Sequence, residues 1–105
     1  MSSWFSAVLL FEAEVNGEFP EDGLCEASLR LVEASDIHVA HGKASALGLQ
    51  AEHGYLNESG ERVEWKFRRV AEVQVLGETT SLDGIEVFSR MYRSGDQPGA
   101  WPILG

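Results

Sequence analysis

The 105 residues carry 17 acidic side chains against 8 Lys and Arg, a formal net charge of −9 at pH 7. That balance argues against a phosphate backbone or an anionic membrane as partner, because such affinity rests on basic residues displacing counterions. The length suits one domain that needs neither metal nor disulfide for its core. Cys25 is the single cysteine, so an internal disulfide is ruled out and a reducing compartment is expected.

Residues Trp4 to Val15 alternate. Phe5, Ala7, Leu9, Phe11, Ala13 and Val15 point one way; Trp4, Ser6, Val8, Leu10, Glu12 and Glu14 point the other. Period two predicts a strand. The first half of its second face is also apolar, which predicts a place inside the sheet with cover on both sides. The run has no basic leader and meets Glu12 and Glu14 at once. It reads as neither a signal peptide nor a membrane span, and the protein is expected in the cytoplasm.

Asn16-Gly17, Pro20 and Asp22-Gly23 mark a turn-rich, acidic loop. Leu24 to Ala34 follows as a second strand, with Cys25, Ala27, Leu29 and Leu31 on one face, and is expected to pair antiparallel with the first. Ser35 to His53 then predicts the only helix. Ser35 or Asp36 can cap it, since a short oxygen-bearing side chain accepts from the free amides of the first turn. Ile37, Ala40, Ala44, Leu47, Gly48 and Ala51 recur at helical spacing. Their small size would let the helix backbone come close to a sheet. Gly48 either stays within the helix or ends it. The opposite face holds His38, Val39, Gly42, Ala46 and Leu49, with Lys43 at its edge. A helix apolar on most sides is usually covered on most sides, so the C-terminal tail or another chain is expected over it.

Tyr55-Leu56 reads as a short strand, and Asn57 to Gly60 as a turn. Val63 to Leu76 is the longest strand candidate. Val63, Trp65 and Phe67 share a face, as do Ala71, Val73 and Val75, but Arg69 falls on that face between them. A bulge near Arg68-Arg69 that shifts the register by one is favoured over an inward cation with a carboxylate partner, because an unpaired buried charge is costly. Asp83-Gly84 is a two-residue hairpin signal, and Ile85 to Tyr92 is the last strand. The irregular tail ends in Trp101-Pro102-Ile103-Leu104, which is expected to dock rather than stay in water.

Most familiar chemistries fail on spacing. His38 and His41 are one turn apart, with His53 and Cys25 as further candidates, but the pair is not aligned to converge on zinc. Gly42-Lys43-Ala44-Ser45 lacks the earlier glycine and the hydroxyl directly after the lysine that a phosphate loop needs. Cys25 sits among Leu29, Leu31 and acids, which suits a core side chain better than a nucleophile. Neither a cofactor nor a metal is expected. The remaining polar constellation is Glu12, Glu64, Lys66, Arg68, Glu86 and Arg90, near Trp4, Phe88 and Tyr92. Arginine beside carboxylates and aromatics could grip a small ligand or a peptide; a salt-bridged solvent face is the plainer reading. Acids dominate the chain through Asp36, where Arg30 is the only cation, while the stretch from Arg62 to Arg93 is nearly balanced.

Three strand signatures, Trp4-Phe5-Ser6-Ala7-Val8-Leu9-Leu10-Phe11-Glu12, Val63-Glu64-Trp65-Lys66-Phe67 and Asp83-Gly84-Ile85-Glu86-Val87-Phe88-Ser89-Arg90, together resemble those of a family of small bacterial proteins, domain of unknown function family 4288. The resemblance runs from Trp4 to Arg90 and leaves out the tail. It implies a bacterial origin and a small stand-alone domain, and it carries no activity, cofactor or catalytic residue.

The expected architecture is a two-layer α+β domain over residues 1–93, β-β-α-β-β-β, with an antiparallel sheet of four to five strands and one helix on one face. Residues 94–105 form the tail. The first functional expectation is a non-enzymatic domain that self-associates or binds a protein partner through Val39, Leu49, Trp101, Ile103 and Leu104. The second is a ligand-binding or catalytic site on the sheet face around Glu12, Trp65, Arg68 and Arg90. The third is an acidic inhibitor or immunity-type protein for a basic partner.

Overall fold

A computed structural model describes residues 2–77 and 89–94, with the side chains of residues 89–92 outside the description. The elements are β1 (Ser3–Val15), β2 (Leu24–Ala34), α1 (Ile37–Gln50), β3 (His53–Leu56), β4 (Arg62–Gly77) and β5 (Ser89–Arg93). All strands lie in one antiparallel sheet of order β3-β4-β1-β2-β5. The chain is therefore α+β, with the expected order of elements.

β1 is the central strand because both of its faces are apolar. Phe5, Ala7, Leu9, Phe11 and Ala13 are buried towards α1, while Val8 and Leu10 are buried on the other side with Ala27 and Leu29. β2 pairs with β1 from Ser3↔Ala34 to Glu12↔Cys25, as the alternation predicts. Their connection starts with a tight reversal. Val15 and Glu18 bond each other reciprocally around Asn16 (φ 51°) and Gly17 (φ 86°). Positive φ at both central positions suits the right-handed twist of the flanking strands.

Asp36 is the cap that the first turn uses: its Oδ1 accepts from the Val39 amide at 2.9 Å. Ala40, Ala44 and Gly48 are buried on the sheet, and Leu47 is half-buried beside them. Gly48 stays inside the helix. Ile37 does not join the stripe; at the first residue of the helix it is 48% exposed and lines an open cleft with Val70 and Val73 of β4.

The expected bulge is present, and it is one of three. The β1–β4 register shifts between Leu10 and Phe11, between Val8 and Leu9, and between Trp4 and Phe5, leaving Arg68, Ala71 and Leu76 as the extra residues of β4. Arg69 thereby pairs with Leu10 on the face away from the helix, and Val70 and Val73 turn back to the core. The second shift corrects the expected grouping of Ala71 with Val73 and Val75. Ala71 packs against Val8, Leu10, Ala27 and Leu29 instead.

β5 pairs with β2, from Leu24↔Arg93 to Ser28↔Ser89, and among the described residues it does not neighbour β4 in the sheet. The Asp83-Gly84 turn, the Ile85–Phe88 part of the last strand and the tail with Trp101, Ile103 and Leu104 lie outside the described residues.

Candidate functional site

The polar constellation does assemble in part, on the sheet face away from α1. Glu12 stands opposite Lys66 and Cys25 in the register. The bulge at Arg68 swings its side chain back over β1, so that Nε lies 3.5 Å from Glu12 Oε1. The same guanidinium carbon sits 5.0 Å from the centre of the Phe19 ring. Glu12 is mostly covered, at 17% side-chain exposure, while Arg68 is half open at 52%. An ion pair and a cation–π contact this exposed each contribute at most about 1 kcal/mol.

A second group runs along β4. Glu64 accepts from Arg62 at 3.2 Å and lies 3.3 Å from Lys66 Nζ. Hydrogen bonds from Lys66 and Arg62 hold the Glu64 carboxyl below its ordinary range. The reciprocal bond from Glu64 raises the Lys66 ammonium. Both groups sit in solvent, so neither shift marks a desolvated catalytic pair. Of these ion pairs, only Arg68–Glu12 crosses between strands.

Trp65 is not part of this face. It pairs with Ala13, is 7% exposed and belongs to the core under the helix. The ligand reading around Glu12, Trp65 and Arg90 thus loses Trp65, because Glu12 and Trp65 point to opposite sides of the sheet. Arg90 pairs with Ala27, and its side chain, like Glu86 and Phe88, lies outside the description. Trp4, expected near this face, instead lines a cleft of about 350 Å³ with Lys43, Ala46 and Leu47 of α1. Glu12 and Arg68 border a hollow of about 150 Å³ with Leu10, Cys25, Arg69 and Ser94. That is below the few hundred Å³ typical of a small-molecule pocket.

The histidines do not gather. His38 and His41 line the rim of a cleft of about 300 Å³ whose walls are Ile37, Val70, Ala71, Glu72 and Val73. His53 lies elsewhere, its Nδ1 3.1 Å from the Ala51 carbonyl oxygen. Among the described residues no group of three His, Cys, Asp or Glu side chains could hold a metal. None of the helices described is long and apolar enough to cross a membrane.

The outer face of α1 is open among the described residues. Val39 is 42% and Leu49 61% exposed, with Gly42 and Ala46 exposed between them. Lys43, the one formal charge between Ile37 and Gln50, leans away and donates to the Glu33 carbonyl.

Against known families, the model described as domain of unknown function (DUF4288) matches residues 4–89. The chain belongs to this family. No curated protein and no solved structure matches it. The DUF4288 match spans β1 to β4 with α1 and reaches the first residue of β5. It includes Glu12, Arg68, Val39 and Leu49, and it leaves out Arg90 and the apolar tail.

Two residues that complete these surfaces escaped the sequence reading. Phe19 sits in a loop, where an isolated aromatic carries no periodic signal. Glu52 follows the helix and accepts from the Phe67 amide at 2.8 Å, a long-range bond that no local pattern announces.

Proposed function

We propose that this DUF4288 domain is a protein-interaction module with no chemistry of its own. One observation carries the reading. Val39, Gly42, Ala46 and Leu49 form an exposed, uncharged face on a helix whose opposite side is already packed on the sheet. A protein with a surplus of acids has charge to spare for a helix surface, yet this face has none. Fully solvated helix faces are usually polar, and exposed apolar stripes are a common mark of protein contact sites.

The test compares the wild-type chain with Val39→Glu/Leu49→Glu as bait in extracts of its source cells, alongside solution mass over a range of concentrations. A partner held by the wild type and lost from the variant supports the reading. So does self-association that the variant abolishes. A wild-type chain that is monomeric throughout and retains nothing the variant does not retain removes it.

A second reading has its own support. Glu18, Glu21 and Asp22 are all exposed at one end of the sheet, as an acidic inhibitor of a basic partner would have them. Such binding weakens as salt screens it; affinity unchanged at high ionic strength ends this version.

A further inference from the structure

β4 has 16 residues, and β3 pairs with only four of them, Arg62 to Trp65. The Phe67 amide, next along that edge, is taken by Glu52. From Arg68 onward, no strand among the described residues pairs with the outer edge of β4. An open edge is a template for another strand. Bulges normally spoil such a template, because they break the two-residue alternation that a regular strand needs.

These bulges follow a pattern of their own. Phe67, Val70 and Val73 face the helix-side core. Between them, Arg69 and Glu72 pair with the outward-facing Leu10 and Val8, Arg68 bonds Glu12, and Ala71 packs with Leu10. The order of faces from Phe67 to Val73 therefore reads the same in both directions about Val70. A strand bulged in the same way is the one that fits this edge, and a second copy of the chain supplies it.

We propose that β4 pairs antiparallel with β4 of a second copy about a two-fold axis through Val70. This deepens the interaction reading above, on a different surface and with the partner named. Val70 then meets itself and Arg69 meets Ala71, each on matching faces. Arg68 stands opposite Glu72 of the second copy twice, once on each side of the axis; its Nε stays beside Glu12, 3.5 Å away, and the rest of the half-open guanidinium meets the second carboxylate, so the contact is complementary in charge. Arg68 and Glu72 are both exposed in the single chain. The cleft of about 300 Å³ lined by Ile37, Val70 and Val73 borders this stretch of β4, and apolar side chains of the second copy would fill it. Five residues per strand, Arg68 to Glu72, is an ordinary length for a strand pair, and the symmetry makes the interface closed and self-complementary.

The test mixes two charge variants, Glu72→Arg and Arg68→Glu. Each alone sets like charges against each other at both symmetric positions, and its dimer dissociation constant should rise at least roughly tenfold. In an equimolar mixture every position again faces its opposite. A one-to-one heterodimer should appear by native mass spectrometry with one chain isotopically labelled. Circular dichroism and denaturation establish that each variant is folded. Should Arg68→Glu fail to fold, hydrogen exchange serves instead. Amides between Arg68 and Glu72 should slow as wild-type concentration rises, and should not do so in Glu72→Arg.

A wild type that stays monomeric, a dimer indifferent to both variants, or a folded mixture that forms no heterodimer would overturn the proposal. A dimer that ignores residues 68 and 72 but dissociates on Leu49→Glu leaves the helix-face reading standing and this one refuted.

Discussion

The Phe67 ring lies so close beneath Gly48 that a Cβ built on the glycine would come within 2.5 Å of ring carbon Cε1. The missing side chain is what lets α1 settle on β4. Phe67 is held in place from below by Phe11, whose ring centre is 5.8 Å away at an angle of 58°. Neither ring can retreat without disturbing the core that β1 shares with both faces.

Gly48→Ala sets helix propensity against packing. Alanine favours the helix by about 1 kcal/mol, while forcing a methyl into a filled core costs about 1–3 kcal/mol. The packing side should win, with a net loss of up to about 2 kcal/mol in urea denaturation. A variant as stable as the wild type would show that the ring moves aside freely.

Asn16 does two things at the first reversal. It adopts positive φ, and its Oδ1 accepts from the Arg62 amide at 2.9 Å, tying the loop to the start of β4. Asn16→Gly keeps the backbone conformation and loses the bond, about 1 kcal/mol. Asn16→Ala loses both and should cost about 1 kcal/mol more. The expected order of thermal stability is Asn, then Gly, then Ala; an alanine variant equal to the glycine one would contradict it.

Glu52 satisfies a sheet amide that β3 is too short to reach, by accepting from Phe67. A bond to an ionised acceptor contributes about 1.5–3 kcal/mol. Glu52→Ala should lose most of that. It should also speed hydrogen exchange at the Phe67 amide beyond its effect on amides at the centre of β1. Uniform acceleration across the sheet would mean that the loss is global and that the bond has no local role.

The Arg62–Glu64–Lys66 group predicts a pH signature. The Glu64 carboxyl is held below its ordinary value of 4.5 by Lys66 and Arg62. Its contribution is present above that value and is lost as pH falls through the lowered one. Lys66 is raised above 10.5 by Glu64, so its contribution is full below that pH and disappears as pH climbs through the raised value. Glu64→Gln should flatten both limbs of the stability profile, slightly, since the groups are in solvent and salt screens them. Denaturation midpoints between pH 3 and 5, roughly the range of carboxylate titration, with and without high salt, check this. Unchanged acid dependence would assign the limb to other carboxylates.

Local pattern was enough for much of this fold. Alternation placed Phe5 to Ala13 on one face, helical spacing placed Ala40 and Ala44 on the sheet, and an inward arginine foretold the bulge at Arg68. These signals are short-range: side-chain direction repeats every two or 3.6 residues whatever lies nearby. Which strands become neighbours is a different kind of fact. The pairing of β5 with β2 joins segments more than 60 residues apart. The second bulge at Ala71, the assignment of Trp65 to the covered face and of Glu12 to the open one, and the Glu52–Phe67 bond are of the same kind. They follow from which edges and faces remain free once the other elements have packed, and no stretch of chain contains that information alone.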